Sequence, residues 1–197
     1  MEYTQNRVLN GKHLKSTENI LSLSDKAAAF IKKGNRNPVI GYKAQLGRSG
    51  KGFVTSLIVP EGNASDSGKL VPVTLDTTSR TAVIPNLVNV DDGYASRAGV
   101  DELHEMGVLF VSISGAKGKK LTSDKDWNNE KYQTARSDRS AVESLMFTLK
   151  YCFEFGQLRR TEIEAVRAEL LEKVIAYNSC RAIALKRAAA KEFKKAG

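Results

Sequence analysis

The sequence predicts an α/β domain, and three observations predict it. β-rich runs and helical patterns follow one another in the order strand, strand, helix, strand, helix, strand, helix, which is the order of a sheet covered by helices. The short apolar run 86–90, NLVNV, fits a buried parallel strand. The stretch 135–156, ARSDRSAVESLMFTLKYCFEFG, reads as one amphipathic helix, capped by Ser137 or Asp138 and stopped at Gly156. At about 100° per residue, Val142, Leu145, Met146, Leu149 and Phe153 share one face of it, and Arg139, Glu143 and Lys150 gather on the neighbouring face.

Taken in order, residues 1–37 are polar and weakly patterned, with one brief helix expected in SDKAAAFIKK behind Ser24. Pro38 and its neighbours break it. The runs 39–46 and 52–59 are rich in β-formers and are joined by GRSGK, so they predict a hairpin. Asp66 or Ser67 can cap a helix running to about Ser79, and Pro85 opens the strand 86–90. A helix from about Ser96 to Met106 and a strand at 108–114 follow, then a basic loop, GAKGKKLTSDKDW. The last element is a long helix from Thr161, with Thr161 and Glu164 spaced as a capping box and Val166, Leu170, Val174 and Tyr177 as its apolar stripe. Three regions result: 1–37, 38–156 and a basic helical 157–197.

Composition narrows the function. With 197 residues and 41% apolar content, the chain can bury a core of its own. No stretch approaches a membrane span and no signal-peptide core is present, so a cytoplasmic location without a membrane partner is expected. Cys152 and Cys180 are too few for a disulfide framework and are expected as buried, reduced thiols. His13 and His104 lack the company of a zinc site. The net charge of +9 suits a polyanion, and residues 1–60 carry ten Lys or Arg against three acids.

Several residues carry candidate chemistry. Asp91 and Asp92 end a strand just ahead of Gly93, where they either cap the next turn or present a carboxylate at the functional end of a sheet. Lys117, Lys119 and Lys120 suit DNA phosphates. Their loop is too short for a nucleotide-binding Walker motif, and Lys120 stands where that motif needs Ser or Thr. Trp127 and Tyr132 read as packing or base-stacking residues. Asp76 reads as a solvated helical Asp. Arg139 and Glu143 have the spacing of an ordinary helical ion pair, so that face is also explained by solvation.

The motif Arg139-x3-Glu143-x6-Lys150 resembles the end of the Tyr-x2-Arg-x3-Glu-x6-Lys pattern of bacterial insertion-sequence transposases of the DDE type, with Arg136 at the Tyr position. VIGYKAQLGRSGKGFV, VPEGNASDS, VDDGYAS, VSISGAKGKK, RSAVESLMFTLK and VRAELLEKVIAYN are similar to ISNCY-type members, in the family's order from about residue 20 to residue 181. The resemblance implies an RNase H-like mixed sheet with flanking helices. It selects Asp91 over Asp92 as a catalytic, metal-holding carboxylate, and makes Glu143 another. Arg136, Arg139, Lys150 and the three loop lysines would then handle DNA. It further implies Mg²⁺ or Mn²⁺, as a two-metal site only once the family's first Asp is supplied, with transposon ends and target DNA as partners. The family's first Asp, on a strand ahead of the hairpin, has no counterpart: Asp25 falls after that strand's place. The expectation is a truncated catalytic region for DNA cleavage and strand transfer, lacking its first strand, inactive alone and able to join itself or full-length transposase. The alternative is a non-catalytic DNA-binding or regulatory fragment. A free-standing RNase H-like nuclease would need a complete carboxylate set.

Overall fold

A computed structural model describes residues 5–11, 25, 27–31, 37–62, 65–138 and 140–196. Among them the fold is mixed α/β, built from three two-stranded sheets and seven α-helices. Strands β1 (Ala29–Ile31) and β2 (Val39–Gly41) pair antiparallel, as do β3 (Gln45–Arg48) and β4 (Val54–Ile58). Helix α1 (Leu70–Thr81) leads to β5 (Leu87–Val90), a short 3-10 turn (Asp92–Tyr94) and α2 (Arg97–Glu105). Strand β6 (Phe110–Ile113) then pairs parallel with β5, Leu87 opposite Phe110 and Val90 opposite Ile113. Helices α3 (Gly115–Leu121), α4 (Asp124–Trp127), α5 (Glu130–Ser137), α6 (Ser140–Cys152) and α7 (Ile163–Ala196) complete the chain.

Two apolar clusters hold these pieces. The first joins Val54, Leu57 and Val59 of the hairpin to Leu145 and Leu149 of α6, Phe155, and Val166, Leu170 and Val174 of α7. The second is local: Leu70, Val71, Leu103 and Val108, with Val88, Val90, Tyr94 and Val111 packed against them. α1 bridges the two, because it lies along β4 and also meets α2.

Exposed strand edges invite pairing with other chains unless something covers them, and here side chains do so. Asn178 of α7 takes both backbone groups of Val54, accepting from its N–H and donating to its carbonyl, each at 2.9 Å. Asp76 of α1 accepts from the Leu57 N–H at 3.0 Å. At the end of β6, the buried Tyr132 hydroxyl accepts from the Ile113 N–H at 2.9 Å and donates to the Ile113 carbonyl at 2.8 Å.

Several expectations are corrected. The run 39–46 is divided, because Tyr42 leaves the ladder to donate its hydroxyl to the buried Asp25 while β2 pairs with β1. Ala29–Ile31 is strand rather than helix, its backbone satisfied by that pairing; Ser24 lies outside the described residues. β5 is parallel as expected but half-buried, since its sheet has two strands. The basic loop is folded into α3 and α4. Asp76 is in a helix, but it covers a strand edge and pairs with Arg80 at 2.8 Å rather than standing in solvent. The segment 135–156 is divided between α5 and α6, and α6 buries Leu145 and Leu149 while Val142 is exposed. α6 packs against α7 and the hairpin cluster, and those partners select the sector of the apolar stripe that is covered.

The long helix begins at Ile163, not at a Thr161 capping box. Glu162 precedes it at φ 69° with its N–H donated to Asp25 at 3.1 Å, so that contact sets the helix start. Glu169, also buried, accepts from the N–H groups of Arg159 and Arg160 at 3.0 Å and pairs with Lys173 at 2.7 Å, fastening the connection between α6 and α7. Cys152 and Cys180 are free but exposed, not buried. Cys180 is turned about 60° from Tyr177 and about 80° or more from Leu170 and Val174, by helical rotation.

Candidate active site

Asp91 closes β5. Its extended backbone starts the 3-10 turn, and its Oδ1 accepts from the Gly93 N–H at 2.9 Å. The side chain is exposed. Asp92 has a different task. Its Oδ1 accepts from the Lys117 and Gly118 N–H groups at 2.7 and 3.2 Å, which gives α3 the N-terminal acceptor that Ser114 does not supply. Gly118 is required where α3 crosses the end of β6, because a Cβ there would stand 1.9 Å from the Ile113 carbonyl oxygen. Of two adjacent carboxylates, one is built into the fold and the other faces solvent.

A second carboxylate lies beside Asp91. A Cβ added at Gly93 would sit 3.0 Å from Asp91 Oδ1 and 3.4 Å from Asp66 Oδ2, so both acids flank this glycine. Asp66 Oδ1 accepts from Gln45 Nε2 at 2.9 Å and pairs with Lys43 at 2.8 Å. The buried Gln45 in turn accepts from the Tyr94 hydroxyl. Burial raises the Tyr94 pKa, and the negative charges of Asp66 and Asp91 raise it further, so this hydroxyl stays protonated as a donor. The Tyr94–Gln45–Asp66 chain thus ties the turn after Asp91 to the hairpin. The sequence offers Asp66 or Ser67 as the helix cap, but Lys69 occupies that position. The signal was present in the turn VPEGNASDSG, where Asp66 stands two residues before Gly68.

The remaining candidates are distributed over three helices. Lys117, Lys119 and Lys120 are exposed on α3, whose first turn Asp92 holds against the Asp91 strand end. Arg136 of α5 lies over Trp127, 4.1 Å from its ring centroid, and 5.3 Å from that of Tyr132. Tyr132 is buried, and Trp127 packs on it at 5.2 Å, so both rings serve packing in this fold. Glu143 stands exposed in the first turn of α6 and Lys150 exposed in its last. Their helix is fixed in the hairpin cluster, whereas Asp91 follows a strand of the other cluster. Arg139 and His13 lie outside the described residues, and His104 Nδ1 is engaged with the Val108 carbonyl at 2.9 Å. Among the described residues, no group of three or more His, Cys, Asp or Glu is arranged to hold a metal, and no helix is long and apolar enough to cross a membrane.

The family model for the transposase DDE domain matches residues 11–179. The chain belongs to that family. No curated protein and no solved structure matches it. Transposase DDE domains act on DNA with divalent cations held by carboxylates, and the donor chemistry here can be weighed against that role. Asp91 offers an exposed carboxylate with one oxygen held by a single N–H, a hard donor of the type such ions take. Asp66 stands close by but carries Lys43 as its counter-charge. Among the described residues no third such donor joins the two.

Proposed function

We propose that this chain is a catalytic region of a DDE transposase on an RNase H-like frame, with Asp91 and Glu143 as two of the three catalytic carboxylates for DNA cleavage and strand transfer. The observation that carries the reading is the division of labour at the end of β5. Asp92 is spent on capping α3, which leaves Asp91 exposed within a chain whose family match covers both proposed acids. When bound, Mg²⁺ or Mn²⁺ would activate the attacking oxygen and stabilise the leaving one. Asp91 and Glu143 would hold the ions, and Lys117, Lys119 and Lys120 would place the DNA backbone without reading its bases. Arg136 of α5 and Lys150 of α6 would do the same, and Arg139 joins them on its place in the motif alone.

The third carboxylate would come from a strand lying between the hairpin and β5, which here belong to separate sheets. Without it the chain is inactive in cleavage. Plasmid nicking in Mg²⁺ or Mn²⁺ tests this, with the chain alone and with the chain extended by the coding sequence ahead of Met1. The expected result is no nicking by the first and nicking by the second, abolished by Asp91→Ala or Glu143→Ala. Robust nicking by the chain alone would overturn the missing carboxylate. Nicking that survives both substitutions would overturn the two assignments. The second reading, a non-catalytic DNA-binding or regulatory fragment, rests on the net charge of +9 and predicts that the extended chain binds DNA without cutting it.

A further inference from the structure

Helix α7 has two halves of different character. Up to Arg181 it is packed: Val166, Leu170 and Val174 are buried, Tyr177 donates to the Gly52 carbonyl at 2.8 Å, and Asn178 holds Val54. Arg181 donates to the Lys51 carbonyl at 2.8 Å. These three successive contacts grip the hairpin turn from one side. Beyond them the helix runs on to Ala196, about 22 Å further at 1.5 Å per residue, with little to pack against. Residues 181–196 hold six Lys or Arg against one acid, Glu192, and six alanines. Ala, Lys and Arg are among the strongest helix formers, so this half can stay helical without a core face. Arg187, Lys191 and Lys194 are all exposed. At about 100° per residue they fall within roughly 60° of one another, with Glu192 turned away.

We propose that the outer half of α7 is a rigid phosphate-contacting arm, in which Arg187, Lys191 and Lys194 lie along a DNA backbone and Arg48 at the end of β3 and Lys51 of the hairpin turn continue the track. This rests on the DNA-binding reading above and adds the surface that carries it. The grip of Tyr177, Asn178 and Arg181 fixes the arm relative to the hairpin, so the cations meet the backbone without first being ordered. The alanines beside them let the helix approach closely. Such contacts strengthen binding without discriminating sequence.

The test is the salt dependence of binding to a duplex of arbitrary sequence. It compares the chain with Arg187→Gln/Lys191→Gln/Lys194→Gln and with a matched triple from elsewhere on the surface, Arg97→Gln/Lys125→Gln/Lys131→Gln. Each phosphate contact contributes about 0.9 to the slope of log affinity against log salt, so the arm triple should flatten that slope by about 2 to 3. The control triple should change it by less than about 1. Equal losses from the two triples would show that net charge alone matters and would overturn the arm. A parent chain that binds no DNA, or binds it independently of salt, would instead overturn the DNA-binding reading. Circular dichroism guards the comparison, since Gln keeps the helix propensity.

Discussion

Asn178 stands in for a neighbouring strand at Val54, satisfying its N–H and its carbonyl with one carboxamide at 2.9 Å each. The two residues are 124 positions apart in the chain, so this contact couples α7 to the hairpin edge. Asn178→Leu keeps the branched outline of the side chain but leaves both backbone groups of Val54 unpaired. We expect a loss of about 1–3 kcal/mol in urea unfolding, with increased self-association as the edge opens. A midpoint equal to that of the parent chain would show that water serves Val54 equally well.

Asp25 and Glu169 set the acid limit of stability. Burial alone would push the Asp25 pKa up, but hydrogen bonds from Tyr42 and from the N–H groups of Glu162, Ala27 and Ala28 outweigh it and hold the group below its ordinary 3.8. Glu169 follows the same pattern: burial raises it, while Lys173 and the Arg160 and Arg159 N–H groups bring it below 4.5. Depressed carboxylates contribute stability above their unfolded values and lose it as pH falls toward the folded ones. Stability should therefore fall as the pH drops below about 4 to 4.5. Asp25→Asn should be less stable at neutral pH and show a shallower acid limb. A limb of unchanged steepness in that variant would remove Asp25 from the account.

Gly118 has no room for a side chain. Gly118→Ala would drive a methyl group into the Ile113 carbonyl, 1.9 Å from the ideal Cβ. α3 must then lift, at a cost of about 1–3 kcal/mol or more, and Asp92 loses its hold on the helix. Thermal unfolding is the measurement, and a melting temperature within a degree or so of the parent's would contradict the packing.

The neighbouring acids should separate in their effect on stability. Asp92→Ala removes the α3 cap and should cost about 0.5–2 kcal/mol. Asp91→Ala removes one exposed hydrogen bond to Gly93 and should cost less. The reverse order, read from denaturant midpoints, would mean that Asp91 is the structural residue.

The legible parts of this fold were those with a local period. The apolar run before Asp91 and the alternation of strands with helices follow from side-chain repeats that any short window reveals. What escaped depended on partners distant in the chain. Val142 lies on the same broad stripe as Leu145 and Leu149, and the sector that is covered was decided by α7 and the hairpin. Asn178 and Tyr132 look like ordinary helical residues until the strand ends they cover are in place. Asp66 was visible as a turn acid, but its meeting with Gln45 and Gly93 joins segments 21 and 27 residues away. The charged face of α6 could be placed on a helix from spacing, while what that face touches was beyond the reach of periodicity.

The two apolar clusters also differ in when they can form. Every residue of the second lies between Leu70 and Val111, so β5, α2 and β6 can close over short loops. The first needs Val54 and Leu57 to meet Val166 and Val174, which requires a far longer chain segment to be brought together. During synthesis the parallel pair can therefore consolidate while the hairpin still waits for α7. Through that interval the outer edge of β4 is uncovered at Val54, and the nascent chain is then most open to mispairing. Pulse-labelled hydrogen exchange during refolding should show amides of β5 and β6 protected before those of β4; simultaneous protection would mean that the two clusters form as one.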